Sequence, residues 1–132
     1  MSTNNPLQVL VYSDDSDVRK AVMDSLGTNP HPEVAPFQYT EVATHPALIK
    51  LVDNEKFDLL ILDGEAVPAG GLGIARQLKH EIFNCPPILV ITGRPQDSWL
   101  AAWSMADAAV SHPIDAFTLA EAAIGLVRPV HV

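Results

Sequence analysis

Cysteine is all but missing: Cys85 stands alone in 132 residues. No internal disulfide is available, a usage that fits a reducing compartment. Basic residues are also few. Eight Lys and Arg face 16 Asp and Glu, for a formal net charge of −8. That balance disfavours nonspecific binding to DNA, RNA or anionic lipid, so no nucleic-acid partner is expected. No apolar run approaches the ~20 residues of a membrane span, and no basic-then-apolar segment opens the chain. A cytoplasmic protein without membrane insertion is the expectation.

What the chain does have is a hydrophobic fraction of 48%, enough for one well-covered core. At this length a single domain, 1–132, is expected, with 1–6 frayed and no output domain. The 11 prolines include clusters at 30–36 and 86–87, between apolar runs. They read as firm loop punctuation, not as a disordered tail.

The most informative stretch is FDLLILDGE, Phe57 to Glu65. Leu59 to Leu62 is an unbroken apolar run, the mark of a strand covered on both faces. Asp63 ends the run and Gly64 breaks it. Taken alone, Asp63 reads readily as a turn or capping aspartate. Around it the chain alternates. Strands are predicted over 8–12, 37–42, 57–63, 87–92 and 108–111. Helices follow them: one from the acidic Ser13–Asp17 segment to Gly27, one capped by Thr44, then 72–81, 96–106, and 116–127 capped by Asp115.

This (βα)5 pattern implies an α/β three-layer sandwich, a parallel five-stranded sheet with helices on both faces and right-handed crossovers. The flavodoxin-like strand order 2-1-3-4-5 is the natural choice, and in such sheets ligands sit beyond the carboxyl ends of the strands at the switch point. That order brings Asp14 and Asp63 to the same edge. Two converging carboxylates suit a hard divalent cation such as Mg2+, which binds few protein acids and keeps several waters. Asp63 is then a candidate nucleophile toward a phosphoryl group, with Thr92 and His112 ending the neighbouring strands.

With those residues in place, the chain resembles a response-regulator receiver domain over essentially its whole length. The matching pieces are VLVYSDDSDVRK, DLLILDGE, PILVITG and ADAAVSHPID. None is specific alone; their order and spacing within the (βα)5 pattern are. The resemblance implies that Asp63 is the phosphoacceptor, that Asp14 and Asp63 ligate a weakly held Mg2+ with the backbone carbonyl of Glu65, and that Thr92 contacts the phosphoryl group. His112 takes the place of the family's lysine, and His112-Pro113 matches its cis-proline turn. It also implies a histidine kinase or phosphotransfer protein upstream and a protein target downstream, with no enzymatic role of the chain's own. The side built from the fourth helix, fifth strand and last helix is implied as a homodimer or target face.

The departures are equally specific. The family carries two acids after the first strand; here Ser13 takes the first place and Asp14 the second, with Asp15 beside them. A lysine is charged at neutral pH, whereas histidine is the side chain whose charge ordinarily turns over between about pH 5 and 8, and its ring reaches less far. Ala109 stands where the family's switch aromatic belongs. Ala66-Val67-Pro68 replaces the usual methionine-proline step with one extra residue, so the loop after the third strand is expected to be reshaped.

Other features are weaker. Trp99 and Trp103, four apart on a helix, fit core packing or an exposed docking pair. The five histidines show no metal-ligand spacing. Gly70-Gly71-Leu72-Gly73 lacks a Walker lysine and reads as loop and helix start, and Cys85 reads as structural. Three functions stay open: a stand-alone phosphoacceptor switch; a pseudo-receiver that binds protein without phosphorylation; and, disfavoured by the absence of a phosphate loop, a flavin-type enzyme on the same fold.

Overall fold

Parallel strands cannot be joined by tight hairpins; each connection must cross a face of the sheet, usually as a helix. The structure, a computed structural model, describes residues 5–128. The expected frayed start lies largely outside the described residues, as do Pro129, expected to stop the last helix, and His131. The elements are β1 (Leu7–Tyr12), α1 (Ser16–Leu26), β2 (Phe37–Val42), α2 (His45–Asn54), β3 (Leu59–Asp63), α3 (Gly71–Glu81), β4 (Ile88–Thr92), α4 (Ser98–Ser104), β5 (Ala108–Ser111) and α5 (Ala116–Val127). The strands form one parallel sheet in the order β2-β1-β3-β4-β5, as the alternation predicted.

The period of two in each strand splits the core in two. Val9, Val11, Leu59, Ile61, Leu89 and Ile91 face α1 and α5, where Val22, Leu26, Leu119 and Ala123 meet them. Leu10, Tyr12, Leu60, Leu62, Ile88 and Val90 face the other way, toward Leu48 of α2 and Ile74, Ala75 and Leu78 of α3. Leu59 to Leu62 are fully buried because the central strand is covered on both sides.

Helix starts follow the side chains that precede them. Asp15 accepts from the amide of Asp17, Thr44 from Ala47, and Asp115 from Thr118, each satisfying an end amide that the helix cannot. Gly27, at φ 64°, ends α1 in a backbone region that a Cβ disfavours. Gly71 starts α3 so close to β3 that a Cβ there would lie 2.8 Å from the carbonyl carbon of Leu62 and the carbonyl oxygen of Asp63. The GGLG stretch thus ends a loop and starts a helix.

The fourth helical segment departs from the prediction. A 3-10 turn, Pro95–Asp97, precedes a helix of only seven residues, and Met105 leaves it in the left-handed region at φ 65°. Ser104 accounts for the early stop: its hydroxyl donates to the Ala101 carbonyl at 2.6 Å and accepts from the Ala106 amide at 3.2 Å, a local alternative to continuing the helix. The core-packing reading of the tryptophans is overturned. Trp99 is 67% and Trp103 45% exposed, while the small Ala101 and Ala106 pack against the core instead. Arg76 of α3 donates to the Trp103 carbonyl and lies 5.0 Å from its ring centroid, within cation–π range.

On β2, the Tyr39 hydroxyl donates to the Gly27 carbonyl at 2.6 Å, and burial pushes its pKa up from 10.0 to about 12. The folded state therefore favours the neutral phenol. Stability from this group is intact below pH 10 and is lost as pH rises toward 12. Denaturant unfolding between pH 9 and pH 12 should show a steeper loss in the wild type than in Tyr39→Phe, which has no proton to lose there.

Candidate functional site

Asp63 is the last residue of β3, and its side chain is 3% exposed. A buried carboxylate has to be met by donors, and three come from separate parts of the chain. Ser13, just past β1 and fully buried, donates its hydroxyl to Asp63 Oδ2 at 2.7 Å. The Glu65 amide donates to Oδ1 at 2.9 Å. Nε2 of His112, just past β5, lies 3.1 Å from the same Oδ1. An ionised carboxylate only accepts, so the tautomer with its proton on Nε2 makes this bond. The His112 amide is itself fixed on the Thr92 carbonyl at 2.8 Å, and the His112-Pro113 bond is cis.

Asp14, Asp15, Val18, Asp63, Glu65, Gly93 and His112 line one cavity of about 310 Å³ at the carboxyl edge of the sheet. The two acids that the strand order was expected to unite thus share a wall, and His112 joins them. Asp14 and Asp63 offer hard oxygens of the kind that hold a largely hydrated Mg2+. No group of three or more His, Cys, Asp or Glu able to hold a metal occurs among the described residues. Asp15 lines the same cavity, with its Oδ1 taken by the Asp17 amide as the cap of α1.

Thr92 is placed differently from the other predicted residues. It ends β4 as predicted, at 3% exposure, but its hydroxyl does not line the acidic cavity. It lies 3.3 Å from the Arg94 carbonyl and 3.4 Å from the Val110 carbonyl, because a buried hydroxyl must donate and these are the acceptors in reach. Thr92 lines a separate cavity of about 280 Å³ with Pro95, Ala109 and Thr118. The Glu65 side chain crosses instead toward the β4–α4 loop. A Cβ on Gly93 would lie 2.7 Å from a Glu65 carboxylate oxygen, so glycine there makes room for the acid.

Several contacts have no clear signal in the sequence. The Asp14 carboxylate accepts from the Val67 amide at 3.1 Å, and the Tyr12 hydroxyl donates to the Ala69 carbonyl at 2.6 Å. Both tie the loop after β3 to the end of β1. Burial, then the charges of Asp14 and Asp63, raise the Tyr12 pKa and keep its phenol a donor. Arg19 supports the Ser13 carbonyl at 2.6 Å. Away from the site, burial pushes the Cys85 thiol up, partly offset by Lys79, which fits the structural role expected of it.

No protein-family model matches the chain. Two proteins of Mycobacterium tuberculosis, strains CDC 1551 / Oshkosh and H37Rv, each described as an uncharacterized response regulatory protein, are 52% identical to it over 130 residues, 98% of each chain. Among solved structures, the N-terminal signal receiver domain of a two-component system response regulator from Bacteroides fragilis matches with a TM-score of 0.77 at 18% identity, over 96% of this chain and 100% of that one. A response regulator receiver domain from Bermanella marisrubri matches with a TM-score of 0.74 at 25% identity, over 93% and 99%. The chain belongs to the response regulators, and its fold is that of their receiver domains. No helix among the described residues is long and apolar enough to cross a membrane.

Ser13→Ala removes the hydroxyl donor to Asp63 Oδ2 without changing the strand. Leaving a buried charged acceptor short of a partner should lower the unfolding free energy by about 1–3 kcal/mol, as read from urea unfolding. Ser13→Thr, which keeps a hydroxyl, should lose less.

Proposed function

We propose that this chain is a receiver of phosphorelay, or two-component, signalling, with Asp63 as its phosphoacceptor. The observation that carries the reading is the convergence on Asp63, at the carboxyl end of the central strand, of Ser13, Glu65 and His112 beside Asp14. In the step proposed, an Asp63 oxygen forms a bond to the phosphorus of a donor phosphohistidine while the P–N bond breaks. The departing imidazole nitrogen keeps the electron pair and takes up a proton. The result is an acyl phosphate on Asp63 and a free histidine on the partner.

This chain's residues serve that step by orientation and charge. Ser13 and the Glu65 amide fix the carboxylate, and His112, when protonated, supplies the cation that lysine supplies elsewhere in the family. Mg2+ would be held by Asp14, Asp63 and the backbone carbonyl of Glu65, and when bound it would supply positive charge toward the phosphoryl oxygens. Thr92 reaches the phosphoryl group only by turning its hydroxyl from the Arg94 and Val110 carbonyls. The partners are a histidine kinase or phosphotransfer protein and a protein target. The exposed Trp99–Trp103 face of α4 supports docking there, since exposed tryptophans are common interface anchors, and a homodimer through α4, β5 and α5 would use the same side.

A second reading has its own support. Both oxygens of Asp63 already carry protein donors, an acid is missing at Ser13, and Ala109 cannot act as an aromatic switch. A pseudo-receiver that binds its partner without phosphorylation would carry this site unused.

Amide NMR with Mg2+ and beryllofluoride, a phosphoryl mimic, separates the two. The switch requires large shifts at Asp14, Asp63, Thr92 and Glu65 that Asp63→Asn abolishes; an unmoved spectrum selects the binding module. Ser13→Asp combined with His112→Lys should raise Mg2+ affinity and the rate of phosphorylation by a small-molecule phosphodonor. No gain would place the obstacle in the loop after β3.

A further inference from the structure

The loop after β3, residues 64–70, is fastened at both ends and in the middle. At its neck a Cβ on Gly70 would lie 2.7 Å from the Gly64 carbonyl oxygen, so the two ends nearly touch. Ala66 is buried at 4% exposure in the core layer beneath α3. Between these anchors Val67 is 63% exposed. Two side chains of one segment, Tyr12 and Asp14, hold the outer part by the Ala69 carbonyl and the Val67 amide. The two holds are unequal. The Tyr12 residue is 1% exposed and its bond is 2.6 Å, whereas the Asp14 bond is 3.1 Å and open to water. An exposed hydrogen bond exchanges with solvent at little net cost.

We propose that Asp14 is the positioning residue for this loop, and that a cation arriving at the acidic cavity is reported by release of the Val67 amide while Tyr12 keeps Ala69 in place. The coupling rests on the reading of Asp14 as the cation-facing acid. Its physical basis is competition for one carboxylate. Oδ1 of Asp14 accepts the partly positive hydrogen of Val67 N–H. A divalent cation drawn to the same carboxylate sets like charge against that hydrogen and pulls the oxygen toward the cavity. Release leaves the loop pinned at Ala66 and Ala69, so the change is confined to Val67 and Pro68 on the exposed rim. A chain with Ala109 in place of the switch aromatic would in this way still have an element outside the cavity that responds to its occupancy.

Hydrogen exchange of the Val67 amide, followed by NMR, tests the latch, with Mg2+ alone as the probe. The metal-free wild type should protect this amide roughly fivefold better than Asp14→Ala, the effect of one exposed hydrogen bond. Asp14→Asn should retain the protection, because its carbonyl still accepts, while losing the charge that attracts the cation. Mg2+ should then lower Val67 protection in the wild type and leave Asp14→Asn unchanged. Equal exchange in the wild type and Asp14→Ala would overturn the latch. Mg2+ that shifts Asp63 and Glu65 but leaves Val67 unchanged would overturn the coupling and leave the reading of the cavity standing. Mg2+ that moves none of the three would overturn the cavity reading, and the coupling with it.

Discussion

A carboxylate side chain at 3% exposure is the constraint around which this structure is arranged. Asp63 cannot keep its charge out of water without donors, and its donors come from the ends of β1 and β5 and from its own following turn. Each is placed by the sheet. β1 and β5 flank the β3–β4 pair, so Ser13 approaches from one side and His112 from the other. The site is therefore a consequence of strand order and register, and it forms only when the sheet is complete.

The two layers of helices make that placement rigid. Odd-numbered β3 residues Leu59 and Ile61 lean on α1 and α5, and even-numbered Leu60 and Leu62 on α2 and α3. A shift of one residue in β3 would exchange the two sets and move Asp63 off the edge. The close approach of Gly71 to Leu62 adds a second limit, since no side chain fits at the first residue of α3, where it meets the strand that carries Asp63. Burial ends at Val67, Trp99 and Trp103, which are exposed.

Much of this was legible in the residue order because it depends on local pattern. The strand and helix sequence, the acidic start of α1 and the caps at Thr44 and Asp115 each follow from a few neighbouring residues. The extent of α4 was not legible. SWLAAWS has weak apolar contrast, so spacing could not say which side faces inward, and Ser104 ends the helix through its own hydroxyl. The orientation of Thr92 escaped for a similar reason: a strand end fixes where a hydroxyl starts, and only the surrounding carbonyls decide where it points.

By itself the sequence determined the alternation, the strand order and the gathering of Asp14, Asp63 and His112 at one edge, because backbone periodicity and crossover geometry leave little freedom there. The tertiary structure alone decided how that edge is wired. Ser13 became a donor to Asp63 and Asp14 an acceptor for Val67. Side-chain hydrogen bonds depend on angles and distances between segments some 50 residues apart, and the order of residues along the chain does not encode them.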